Sequence, residues 1–139
     1  MMISTRGRYA LRVMIELAGN QERDYIPMKE IAEKQSISLK YLEQILPVLV
    51  KNGLLEGVHG KKGGYRLTKP TNQYKIGDII RLTEGDLAPV ACIGCEAKTC
   101  DRASDCITLP MWKEFYRITN EYFDGITLAD LLAGEGKSV

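Results

Sequence analysis

The chain has 139 residues, 45% of them hydrophobic and 27% charged, which is the balance of an ordinary globular protein with room for one compact unit and an appendage. Its net charge of +1 hides an asymmetry, because residues 1–86 carry 14 Lys+Arg against 10 Asp+Glu whereas residues 87–139 carry 5 against 8. Within 51–81 the balance reaches 7 basic to 2 acidic, which describes either a solvated face or a surface that meets phosphates, and no stretch approaches the roughly 18 uncharged apolar residues of a membrane span.

The N-terminal stretch MMISTRGRYALRVMIELAGN is interrupted by Arg6, Arg8 and Arg12, so it offers no signal-peptide core, and the expectation is a soluble cytoplasmic protein. Tyr9, Ala10, Val13, Met14, Leu17 and Ala18 recur at helical spacing and Gly19-Asn20 supplies a stop, which predicts a first amphipathic helix. Pro27 suits the first turn of a second helix, PMKEIAEKQ, whose apolar face is Met28, Ile31 and Ala32. The tripeptide SIS breaks the pattern, and Ser38 is placed to cap a third helix, LKYLEQILPVLVKN, closed by Gly53. Two helices joined by so short a turn read as a helix-turn-helix. Pro47 lacks an amide proton and should kink the third helix.

After Gly53 the period changes. LLEGV and YRLT are short extended runs around HGKKGG, where Gly60, Gly63 and Gly64 can take positive φ angles and Lys61 and Lys62 project from the tip. That predicts a β wing. The loop lacks the GxxxxGK[ST] spacing of a phosphate loop, and no helix follows it. The fold class expected is therefore mostly α with a small β wing, a winged helix-turn-helix whose third helix enters the major groove of double-stranded DNA.

On the third helix, Ser38, Tyr41 and Gln44 share roughly one face and can offer hydrogen bonds to base edges, while Glu43 can accept from a cytosine amino group or repel wrong sites. Lys40 opposes the helix dipole, a penalty that a DNA phosphate would remove, although a solvated lysine is the plainer reading. The ring of Tyr41 has the alternative of partial burial in the core.

GDIIRLTEG reads as a short helix leading into CIGCEAKTCDRASDC, which holds all four cysteines, Cys92, Cys95, Cys100 and Cys106. Beyond it Thr108 caps and Pro110 opens a helix to about Phe123, with Met111, Phe115, Ile118 and Tyr122 at spacings of 4, 3 and 4 and Trp112, Tyr116 and Phe123 widening the stripe. So large an apolar face is either intramolecular core or the seam of a homodimer through residues 108–124. Thr127 with Asp130 has the form of a capping box for a last short helix. The domain reading is residues 1–84 for DNA binding, 85–107 for the cysteine-rich loop and 108–139 for the dimerisation helix and last short helix.

Four clustered thiols in a reducing compartment point to a metal or redox site rather than a disulfide framework. Only Cys92 and Cys95 form the C-x2-C pair of structural zinc, and iron–sulfur clusters are held by thiolates at varied spacing, so the spacing leaves both metals open. An oxidoreductase built on Cys92 and Cys95 would need a thioredoxin-like βαβ setting, which is missing, and the reading is not an enzyme.

STRGRYALRVMIELA, ISLKYLEQILPVLVKNGLLEGVHGKKGGYRL and the cysteine run with Cys100 and Cys106 resemble the iron-sulfur cluster regulator (IscR-like) family of bacterial transcription factors, which includes the NsrR and CymR repressors, over essentially the whole chain. The resemblance implies a homodimeric repressor with a long dimerisation helix, and it places Ser38, Tyr41, Glu43 and Gln44 on the DNA-reading helix. The family's wing position corresponding to His59 is commonly arginine, and Lys61 and Lys62 are placed to compensate. It also implies an iron–sulfur cluster, 2Fe–2S or 4Fe–4S, in the cysteine loop. Leu109 and Arg8 stand where branches of the family carry a fourth ligand, which makes Cys92, Cys95, Cys100 and Cys106 the economical set. A zinc-stabilised winged-helix protein that senses nothing is the alternative.

Overall fold

The computed structural model describes residues 2–94 and 100–134, so Cys95 lies outside the described residues. The first helix, α1 (Thr5–Ala18), is capped by Ser4, whose Oγ accepts from the Gly7 amide at 3.2 Å. The Ser4 amide and hydroxyl both donate to Glu84 Oε1, at 2.7 and 2.6 Å, which ties the start of α1 to a helix eighty residues away. Gly7 is buried there, and a β-carbon on it would collide with the Glu84 carboxylate. The buried face of α1, with Ala10, Val13, Met14 and Leu17, packs against α2 (Met28–Gln35) and α3 (Leu39–Lys51) through Ile31, Leu42, Ile45, Leu46 and Leu49.

Pro27 is the N-cap of α2 rather than its first turn, extended at φ −61°, ψ 143°, with the Glu30 and Ile31 amides closing on its carbonyl. Ser36 ends α2 in the left-handed region at φ 53°, so the chain turns within three residues to Ser38. Ser38 caps α3 as its position predicts, Oγ accepting from the Tyr41 amide at 3.1 Å. Pro47 lies inside α3 on its exposed side. The carbonyl it leaves without a helical donor, that of Glu43, is on the same side, where solvent or a ligand reaches it. Gly53, at φ 76°, supplies the left-handed stop.

The wing is a two-stranded antiparallel sheet of β1 (Leu55–Val58) and β2 (Gly64–Leu67), in register Leu55↔Leu67 through Val58↔Gly64. A bridge of Ile26 with Tyr65, at 2.9 and 3.0 Å, joins it to the segment before α2. Gly60 and Gly64 take positive φ, 110° and 151°, but Gly63 does not. Gly63 is needed for space instead, since a β-carbon there would strike the Val58 carbonyl.

Tyr74 locks the wing's exit. Its ring is 1% exposed, and its hydroxyl donates to the Leu54 carbonyl at 2.7 Å while accepting from the Thr68 amide at 2.9 Å. From there α4 (Ile76–Glu84) buries Ile76, Ile79 and Ile80 in the common core. The long helix α5 (Leu109–Asp124) crosses α4 and is held to it by Arg81, which donates to both oxygens of Asp124 at 2.9 Å and to Asn120 Oδ1 at 2.7 Å. Thr108 stands at the N-cap of α5 but its side chain makes no capping bond, whereas Pro110 sits in the first turn as expected. The chain then returns to the core: Ile126 and Leu128 are buried, and α6 (Leu128–Leu132) opens on the Thr127–Asp130 capping box.

Replacing Tyr74 by Phe leaves both the Leu54 carbonyl and the Thr68 amide without that hydroxyl at a buried site. The expected loss is about 1–3 kcal/mol in urea unfolding with the m-value unchanged. A change near zero would mean that the hydroxyl does not hold the wing.

Candidate nucleic-acid interface and cysteine loop

The outward side of α3 carries Lys40, Glu43, Gln44, Pro47 and Lys51, all exposed. Leu42, Ile45, Leu46 and Leu49 are buried on the opposite side, so burial of one face sets the orientation of the other. The Ser38 hydroxyl oxygen is engaged as the cap acceptor, which still leaves a proton to donate outward. Tyr41 divides its roles: it is half-buried, and its ring meets Tyr9 edge-on at 5.1 Å between centroids. Tyr9 in turn lies under the Arg12 guanidinium, 5.1 Å from the ring centre. The core pairing of Tyr41 thus coexists with a position at the rim of the exposed face.

His59, Lys61 and Lys62 are exposed on the loop between β1 and β2, closed by the Gly63 amide donating to the Gly60 carbonyl at 3.0 Å. Among the described residues neither lysine pairs with a carboxylate. The wing's other cation is differently employed. Arg66 pairs with Asp24 at 2.7 Å and with Glu56 at 3.0 Å, and it lies over the Tyr25 ring. The Arg66 hydrogen bond, followed by one from Tyr25, holds the Glu56 carboxyl below its ordinary range. With Arg81 also bound to carboxylates, the basic surface implied by residues 51–81 contracts to its lysines, Lys51, Lys61, Lys62, Lys69 and Lys75.

The segment after α4 turns at Gly85 and is pinned by Leu87, 1% exposed, before a short 3-10 turn, Ala91–Ile93, carries Cys92. Cys92 and Cys100 are exposed and Cys106 is half-buried. Among the described residues no three metal-ligating side chains come together. The Cys106 thiol is lowered from its ordinary value, first by the Thr108 hydroxyl 3.5 Å from its Sγ, then by the Leu109 and Thr108 backbone amides and the Arg102 charge. Thr108 therefore addresses the cysteine rather than the helix it precedes. A lowered thiol pKa favours the thiolate, the form that binds soft metals.

The last surface is on α5. Met111, Phe115, Ile118 and Tyr122 are 53%, 44%, 50% and 40% exposed, while Phe123 and Thr119 face inward. The heptad-like spacing thus separates into an inner side that meets α4 and an exposed apolar stripe on the other side. Among the described residues no helix is long and apolar enough to cross a membrane.

Comparison with known proteins agrees with this architecture. The family model Rrf2, described as an iron-dependent transcriptional regulator, matches residues 3–134. The transcriptional regulator IscR of Cronobacter sakazakii (strain ATCC BAA-894) is 34% identical over 132 residues, which span 95% of this chain and 80% of that protein. Among solved structures, T. potens IscR is similar with a TM-score of 0.78 and 34% identity, covering 100% of this chain and 93% of that one. CymR, the global cysteine regulator of B. subtilis, reaches the same TM-score and identity over 96% and 97%. These relatives are regulators, not enzymes. With a helix-turn-helix, a lysine-tipped wing and a family match that runs almost from end to end, the chain belongs to the Rrf2 family of transcriptional regulators.

Proposed function

We propose that this chain is a cytoplasmic, sequence-specific DNA-binding repressor that works as a homodimer and whose DNA affinity is set by an iron–sulfur cluster in the cysteine loop. The observation that carries the reading is continuity: the loop, residues 85–107, follows α4 at once and leads into α5, the helix with the exposed apolar stripe. In the dimer the stripes of two α5 helices cover each other, which aims two copies of α3 at half-sites about one helical turn of DNA apart or a multiple of it. Ser38, Tyr41, Glu43 and Gln44 read base edges, Lys40 meets phosphate, and His59, Lys61 and Lys62 run along the backbone beside the groove. Residues 1–84 thus supply recognition, 85–107 the sensor and 108–124 the seam.

The donor set suits the cluster in chemistry, since three of the thiols are at least partly exposed and Cys106 is biased toward thiolate. Cys92, Cys95, Cys100 and Cys106 would hold it, with 2Fe–2S and 4Fe–4S both compatible with four thiolates. When bound, the group supplies an oxygen- and redox-labile crosslink of the loop. The similarity to IscR proteins supports this assignment, and Leu109 and Arg8 leave the chain's own cysteines as the available strong donors.

Exchanging Lys61 and Lys62 together for Glu is expected to weaken binding to all DNA sequences and to flatten the salt dependence by roughly 0.9 per lost phosphate contact. An unchanged slope would remove the wing from the interface. For the sensor, iron, acid-labile sulfide and zinc are counted in anaerobically purified wild type and in the four single Cys→Ser proteins. Brown wild-type protein and loss or oxygen lability of the cluster in each variant are expected, because serine is a harder and less acidic donor. Colourless wild type with one zinc per chain contradicts the cluster, and a Cys95→Ser protein as stable as wild type contradicts the four-cysteine set.

A further inference from the structure

We infer that Arg12 and Tyr9, both on α1, are positioning residues that aim Tyr41 at the DNA bases, an inference that rests on the reading of Tyr41 as a base-contacting residue. Tyr41 is in the first turn of α3, where its amide donates to the Ser38 cap. That bond fixes its backbone. Its half-buried ring is fixed by Tyr9, which it meets at 5.1 Å between centroids with 68° between the ring planes, the edge-on geometry that aromatic pairs prefer. Arg12, one turn along α1 from Tyr9, puts its guanidinium carbon 5.1 Å from the centre of the Tyr9 ring. The Tyr41 ring thus leans on two side chains of α1 in series.

The same guanidinium holds the turn by which the chain enters α3. Arg12 Nε donates to Gln35 Oε1 at 3.3 Å, and a terminal nitrogen of Arg12 donates to the Gln35 carbonyl, at the last residue of α2. The other end of the Gln35 amide is also held by α1, Nε2 donating to Glu16 Oε2 at 2.8 Å, and Glu16 pairs with Lys34 at 3.7 Å. Only Ser36, in the left-handed region, and the buried Ile37 separate Gln35 from the Ser38 cap. Arg12 therefore ties both the backbone that enters α3 and the ring of its first-turn tyrosine to a single helix. A planar fork does both at once, whereas a lysine ammonium has neither a flat face for the ring nor a two-pronged reach to Gln35. Displacing the Tyr41 ring moves its hydroxyl relative to the groove, while Lys61 and Lys62, on the wing, belong to a different element. Loss of the clamp therefore acts on discrimination between sequences rather than on attraction to phosphate.

Tyr9→Leu removes the ring and keeps apolar bulk, Arg12→Lys keeps the charge and loses the fork, and Tyr9→Phe keeps the ring. Affinities of the full chain are measured by fluorescence anisotropy for a duplex that the wild type selects from a random-sequence library and for a random duplex of the same length, each across a salt series. The ratio of selected to random affinity is expected to fall by about threefold or more in Tyr9→Leu and Arg12→Lys, with the salt slope on random duplex unchanged and with Tyr9→Phe at the wild-type ratio. Loss of both affinities by a common factor, as from a merely structural role, or a loss in Tyr9→Phe equal to that in Tyr9→Leu, overturns the inference. Tyr41→Phe tests the underlying reading separately. If it lowers the ratio while Tyr9→Leu and Arg12→Lys do not, the inference alone is overturned. If it keeps the wild-type ratio, base contact by the Tyr41 hydroxyl fails and the inference fails with it. A wild type that enriches no sequence defeats both.

Discussion

Arg81 sends both terminal nitrogens of its guanidinium from α4 across to α5, where they meet the two oxygens of Asp124 and the amide oxygen of Asn120. This planar fork on a carboxylate fixes orientation as well as distance, which a single lysine could not do. The hydrogen bond to Asp124 leads the causes that raise the guanidinium pKa, so the charge persists at any physiological pH. Gly77 makes room for it, since a β-carbon there would lie within 3.0 Å of the guanidinium and would strike Asp124. The setting of α5 rests on this joint together with its inward Thr119 and Phe123 side and the Tyr116 hydroxyl donating to Asp86. Beyond α5, the buried Ile126 and Leu128 are tied to the core by their own backbone bonds to Ile76 and Tyr74.

Two consequences follow from a rigid α4–α5 joint. The wing and α3 share one apolar core with α4, through Tyr74 and the buried isoleucines, so the DNA-facing surface moves as a unit with α4. The exposed stripe of α5 is then carried at a fixed angle to that surface. In the proposed dimer, pairing of two stripes would set the relation between two reading surfaces, and the cysteine loop lies between α4 and α5, the two helices that such a relation would pass through. Glu84, which anchors Ser4, extends the same rigidity to the start of α1.

Much of this was legible in the sequence because it follows from local periodicity. The apolar spacing of Tyr9 to Ala18, the Ser38 cap, the Gly53 stop and the Thr127–Asp130 box each depend on residues within a turn or two of one another, and the structure has each of them. What was not legible depends on partners far along the chain. Nothing near Arg66 announces that Asp24, 42 residues away, will take part of its charge, and nothing near Arg81 announces Asn120 and Asp124. Charge counts therefore overstated the basic surface. Likewise Gly63 was expected to supply conformational freedom and supplies clearance instead, and the Thr108 hydroxyl turns toward Cys106 because the backbone there is already helical, at φ −87°, ψ −13°, rather than in the extended form of a side-chain cap. Of the proposed ligands, Cys95 lies outside the described residues, and its place in the set comes from the sequence.

The central claim is that one chain is half of the reading device and that α5 completes it. Sedimentation equilibrium of wild type and of the Phe115→Glu, Ile118→Glu double variant, combined with operator binding, tests it most directly. Wild type is expected at twice the 15.6 kDa chain mass. The variant is expected as a folded monomer with unchanged helical circular dichroism, since both side chains already face solvent, and with operator affinity reduced toward that for random DNA. A variant that remains two chains, or a monomer that holds its operator as tightly as wild type, would contradict the account.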